Sequence, residues 1–156
     1  MRNIIIIYIV LIIAVVGLFY FQRNNLPFFG KSTPNAQIDG KTYNLILAKT
    51  EQEQVTGLSG RASLDKNTGM LFIFATAEYQ RFWMIKMRFP IDIIYIDNNK
   101  IVDIVPDAPV PTTNDPTKLP IYTSKAPANY VLEINANQAS DNKFKVGDTV
   151  TFSNIQ

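Results

Sequence analysis

Hydrophobic positions run along this chain in three rhythms. The first is unbroken: IIIIYIVLIIAVVGLFYF, Ile4 to Phe21, is 18 residues without a charge. As a helix rising 1.5 Å per residue it would measure about 27 Å, near the thickness of a hydrocarbon core, so the pattern predicts a transmembrane helix. Tyr20 and Phe21 stand at one end, where aromatic rings favour the interface. A cleaved signal would have a shorter apolar stretch and a small-x-small site, whereas this run ends in bulky LFYFQR. Arg2 flanks one side, and Arg23 and Lys31 the other, a nearly balanced count. The short leader nonetheless reads as a signal anchor, with the N-terminus in the cytoplasm. Three spans follow: an anchor over 1–23, a Pro/Gly tether over 24–37, and a domain over 38–156 outside the cytoplasm, periplasmic or at the cell surface.

Beyond the tether the rhythm is alternation. Asp39–Gly40 favours a tight turn, and Tyr43, Leu45 and Leu47 alternate behind it as a strand. GMLFIF, Gly69 to Phe74, places Met70, Phe72 and Phe74 on one face. RFWMIKM and IDIIYID predict two more strands, broken at Pro90, which has no ladder donor. KIVDIV returns after Asn98–Asn99 as a hairpin partner. APANYVLEINA is a strand, NQASDN a turn or short helix, and KFKVGDTVTFSNI a strand, a turn and a last strand.

The third rhythm is brief. Thr50 with Glu53 three residues on has the spacing of a capping box, and Val55 and Leu58 make a short helical stripe. Gly57 and Gly60 limit the helix to about two turns. Five prolines between Pro106 and Pro120 predict a long extended loop. Many short strands with one short helix predict a mainly β fold: a small β-sandwich or jelly-roll-like barrel, preceded by the transmembrane helix.

Charge and composition then exclude whole classes. From Asn24 onward 13 basic residues balance 13 acidic ones, so there is no electrostatic case for a nucleic-acid partner. The chain has no His and no Cys. Ser-His-Asp and Cys-His catalysis are thereby excluded, with ordinary zinc, copper and haem ligation, and no cofactor or metal is expected. No phosphate-binding glycine pattern occurs.

Candidate chemistry concentrates in RFWMIKMRFPIDIIYID, residues 81–97. Alternation places Trp83, Ile85, Met87 and Phe89 on a core face, and leaves Lys86 and Arg88 at a rim beyond Phe82 and Met84. Asp92 lies in a run that looks buried on both faces, and a buried carboxylate needs a partner or a proton. Arg61 and Arg88 are the expected partners. Glu133 shares a face with Val131 and is also expected to point inward. If Asp92 and Glu133 converged, they could form a two-carboxylate hydrolytic site. Asp97, Asn98 and Asn99 could offer oxygens to calcium, although such a cluster is ordinarily a hairpin turn.

Three ordered blocks carry a resemblance. They are GLSGR at 57–61 with GMLFIF at 69–74, FWM at 82–84 with FPIDIIYID at 89–97, and APANYVLE at 126–133 followed by VGD at 146–148. Over about 100 residues the chain resembles the DUF192 family, a bacterial and archaeal domain of unknown function. The resemblance implies a mainly β sandwich or barrel behind an N-terminal signal or anchor, and it implies no reaction. The family pattern reads FWMKN where this chain has Phe82-Trp83-Met84-Ile85-Lys86, and many members carry cysteines in the loop where this one has none.

The expected function is therefore a non-catalytic binding or accessory module of the cell envelope. It would meet the membrane through residues 4–21 and bind an envelope ligand or protein in a cleft between GLSGR, the FWM strand and the Pro-rich loop. Arg61, Trp83, Lys86, Arg88, Asp92, Tyr122 and Glu133 are the candidate cleft residues. The alternative is a small hydrolase or carbohydrate-active enzyme using Asp92 and Glu133.

Overall fold

The structure, a computed structural model, describes residues 12–20 and 33–155. Residues 12–20 form a helix, α1, with exposed side chains. The remainder of the expected span, at 4–11 and 21, lies outside the described residues. Among the described residues no helix is long and apolar enough to cross a membrane.

Residues from Thr33 onward form a separate unit. Its elements are β1 (Asn35–Ile38), β2 (Lys41–Ala48), α2 (Glu51–Thr56), β3 (Thr68–Glu78), β4 (Arg81–Phe82), β5 (Ile91–Asp97), β6 (Lys100–Ala108), β7 (Tyr122–Thr123), β8 (Ala128–Asn135), α3 (Gln138–Asp141) and β9 (Val150–Ser153). β1 starts within the stretch expected as tether. Ala36 is fully buried and pairs with Phe152 of β9.

Seven strands make one sheet in the order β6-β5-β8-β3-β2-β1-β9. Among the described residues only β2 and β3 pair in parallel, joined by the crossover that contains α2. The sheet curls until its two edges meet at one end. There Lys100 bridges Thr149, the Ile101 N–H donates to the Asp148 carbonyl at 3.0 Å, and the Val150 N–H donates to the Asn99 carbonyl at 2.9 Å. The fold is thus mainly β and partly closed as a barrel. It is not a sandwich, because the other sheet is only the two-residue pair of β4 with β7.

Strand alternation sorts the apolar side chains into two clusters. One takes residues from all seven strands of the curled sheet, among them Ile38, Leu45, Leu71, Ile94, Ile101, Leu132 and Val150. Only the concave side can gather all of these. Ala139 of α3 and Phe144 join them. The second cluster holds Met70, Phe72, Ile93, Tyr95 and Val131 with Leu58, Met84 and Met87, and so covers the opposite face.

Of two further expected strands, RFWMIKM is cut to the two residues of β4 and KFKV forms no strand. Past Phe82 the FWMIKM segment turns: the Met87 N–H donates to the Met84 carbonyl at 3.1 Å, and Lys86 adopts φ 54°. Met84 and Met87 are therefore buried while Trp83 is 42 % exposed, which inverts the alternating assignment of Trp83 and Met84. KFKV also turns, with Lys143 at φ 59° and the Phe144 N–H on the Ala139 carbonyl. Asn98 and Asn99, both at positive φ, form the hairpin turn between β5 and β6.

Candidate functional site

β8 carries the central feature of the outer face. Leu132 and Ile134 point into the barrel, so Val131 and Glu133 point the other way. Glu133 stands between Met70 of β3 and Ile93 of β5, in the middle of the sheet. It lines a cleft of about 270 Å³ whose walls include Leu58, Phe72, Phe74, Phe82, Trp83 and Met87.

The walls are fixed by short-range rules. Thr50 and Glu53 complete the capping box: the Glu53 N–H donates to Thr50 Oγ1, and the Thr50 N–H to Glu53 Oε2 at 2.9 Å. The Gln54 amide donates to the Ile73 carbonyl at 2.8 Å and holds α2 on β3. Gly57 then ends α2 at φ 50°, and a Cβ there would stand 3.3 Å from the Phe72 ring. Ser59 Oγ donates to the Ile85 carbonyl at 2.8 Å and the Gly60 N–H to the Lys86 carbonyl at 3.0 Å, tying this strap to the FWMIKM turn. Phe82 sets its ring edge-to-face against Phe72 at 4.8 Å, and also meets Phe74 and Tyr95.

Glu133 is only 5 % exposed, and its Oε2 is buried without a hydrogen-bond partner. Burial pushes its pKa up to about 8, so at neutral pH it is mostly the uncharged acid. Burial also raises the Tyr95 phenol, with Asp103 and Glu133 adding to the shift. The Tyr95 hydroxyl donates to the Tyr122 carbonyl at 2.9 Å. The charges in the cleft lining besides Glu133 are Glu51 and Arg81, both exposed. Among the described residues no group of three or more acidic side chains gathers as metal ligands.

The chain matches the DUF192 family, described as "Uncharacterized ACR", over residues 34–152. The chain belongs to the DUF192 family. A crystal structure of a protein of unknown function from Novosphingobium aromaticivorans is similar, at 28% identity and a TM-score of 0.65, covering 76% of this chain and 83% of that one. A Sinorhizobium meliloti protein, provisionally named a transcription regulator, shares the fold at 24% identity and a TM-score of 0.66, covering 76% of this chain and 91% of that one. No curated protein matches.

The DUF192 blocks meet at the cleft. GLSGR supplies Gly57, Leu58 and Ser59, GMLFIF supplies Phe72 and Phe74, FWM supplies Phe82 and Trp83, and APANYVLE supplies Glu133. The Pro-rich segment over 106–120, whose first three residues belong to β6, contributes none of this lining, although Asn114 Oδ1 accepts the Lys86 N–H at 3.1 Å. Of the candidate residues, Trp83 and Glu133 line the cleft, and Tyr122 packs partly buried beside it. Arg61, Lys86 and Arg88 are exposed and outside that lining.

Asp92 lies elsewhere. It pairs with Ile134 in register, so it points to the barrel side while Glu133, opposite Ile93, points to the cleft. The expected ion pair with Arg61 or Arg88 does not form. Asp92 instead accepts three backbone N–H groups, from Asp107, Asn137 and Ala139. The two carboxylates thus occupy opposite faces, and a paired-carboxylate hydrolytic site has no geometry here. Among the described residues the ion pairs are Lys118–Asp115 and Lys125–Asp103, away from both.

Alternation had put Phe72, Phe74 and Glu133 on usable faces. Gln54, Gln80 and Arg81 carried no motif; they join the site through the α2 crossover and the β4 turn.

Proposed function

We propose that this DUF192 domain is a non-catalytic binding module of the cell envelope, held at the membrane by residues 4–21, with the Glu133 cleft as its site. One observation carries the reading: a carboxyl group 5 % exposed, with an orphan oxygen, at an aromatic-lined cleft. A buried polar group without a partner is costly to a fold, and a ligand that satisfies it recovers that cost. Concave, mostly apolar clefts with a few polar groups are the usual form of small-molecule sites. The envelope setting is supported by the uncharged run Ile4 to Phe21. Balanced charge beyond Asn24 gives the regulator name of the Sinorhizobium protein no support in this chain.

Trp83 is the only tryptophan, and it stands in the cleft wall. Its emission therefore reports on cleft occupancy in the full-length chain. Fragments spanning neutral, cationic and anionic groups should include some that change it saturably, and Glu133→Gln should alter their affinity. If no fragment does so, the cleft is not a binding site.

A further inference from the structure

We infer that the Glu133 cleft takes an organic cation: an ammonium group on a small apolar or aromatic body. The inference rests on the binding reading above and names the ligand class.

Three observations converge on it. Glu133 is buried, and its Oε2 has no donor. Among the described residues no basic side chain makes an ion pair with it, and the one cation in the lining, Arg81, is exposed. The counter-charge position is thus left to the ligand. The walls beside it are Phe72, Phe74, Phe82 and Trp83 with Met87. Aromatic rings attract a desolvated cation through their faces and offer an anion nothing comparable. An ammonium N–H meeting the Glu133 carboxyl group from the cleft would form a charge-assisted bond in a low-dielectric site.

Protonation follows from this arrangement. Burial favours the neutral acid in the free protein, and a bound cation favours the carboxylate. Binding therefore releases a proton from Glu133 to solvent. The other groups that can modulate it are Tyr95 from β5, Glu51 from α2 and Arg81 from β4. Glu51 and Arg81 are exposed and opposite in sign.

The probes are benzylammonium, benzyl alcohol and phenylacetate, titrated against full-length protein and followed by Trp83 emission and calorimetry. Benzylammonium should bind, releasing about one proton at pH 7, as the heats in phosphate and Tris buffers would show. Its affinity should tighten by roughly tenfold per pH unit from pH 6 towards 7.5, because only the ionised fraction of Glu133 is competent. Glu133→Gln should weaken it by about tenfold or more at pH 8 and abolish the pH slope. Proton release by the wild type keeps the test independent of that variant's folding. Equal or tighter binding of benzyl alcohol or phenylacetate would overturn the cation and leave the binding site standing. Silence from all three overturns the cation too, and silence across the wider fragment set removes the site itself.

Discussion

The backbone N–H of Ala139 donates to Asp92 Oδ2 across 2.7 Å. With the Asp107 and Asn137 N–H groups on Oδ1, at 2.8 and 3.2 Å, the carboxylate joins β6, α3 and the turn after β8 at one point. The partners are main-chain donors, so they cannot leave when a side chain is changed. Asp92→Ala would strand three donors around a buried position and should cost about 3 kcal/mol or more. Arg61→Gln and Arg88→Gln, at exposed positions, should stay within about 0.5 kcal/mol of wild type. Urea melts of the three variants check this. An Asp92→Ala variant as stable as wild type would remove the proposed role.

Glu133 sets a dependence of stability on pH. Its folded pKa is about 8, raised by burial from an ordinary value of 4.5. The folded state therefore holds the proton more tightly than the unfolded chain. This contribution is full below about pH 4.5, fades as pH rises through the window to about 8, and then levels. Glu133→Gln cannot ionise. It should match wild type near pH 4 and exceed it above pH 8 by on the order of a few kcal/mol. Urea melts at pH 5, 7 and 9 would show the two curves diverging; parallel curves would refute it.

Lys86 sits at φ 54° with its side chain in solvent. Left-handed backbone disfavours a residue with a long side chain and suits Asn or Gly. The family pattern FWMKN has asparagine at this position. Lys86→Asn should therefore raise stability by about 0.5–1 kcal/mol, since the bonds to Asn114 Oδ1 and from the Gly60 N–H use only the main chain of residue 86 and survive. Thermal melts decide it, and a lower melting temperature would count against the strain.

Gly69 opens β3 beneath β8. A Cβ there would lie 2.8 Å from Leu132 Cδ1 and 3.1 Å from the Glu133 carbonyl oxygen. Gly69→Ala should cost about 1–3 kcal/mol through overpacking and displace the strand that carries Glu133. The expected readout is a reduced urea midpoint together with altered Trp83 emission.

The uncharged run Ile4 to Phe21 predicts that protease added to intact cells, or to spheroplasts if an outer membrane is present, clips off the unit beginning near Thr33. Complete protection would reverse the orientation.

The sequence displayed some of this well and some not at all. IDIIYID and YVLEIN read correctly as strands because continuous apolar runs with β-branched residues have few other uses. The capping box at Thr50 and Glu53 was visible because it is local. Trp83 and Met84 were assigned to opposite faces the wrong way round, because a left-handed Lys86 leaves no mark in composition. Asp92 was rightly expected to be buried, but its partners are backbone donors, which carry no residue signature. Alternation left sandwich and barrel open and could not single out one curled sheet, because edge closure between Lys100 and Thr149 is a long-range pairing that alternation cannot encode.

β9 is four residues long and comes last in the domain, yet it is the strand that seals β1 and reaches the start of β6. During synthesis the earlier strands can pair with one another, but both of those seams stay open until Ser153 has emerged. The domain therefore cannot mature segment by segment. Its two bare edges are offered to any neighbouring chain for the whole of elongation, and a stop codon placed before Val150 would leave them so permanently.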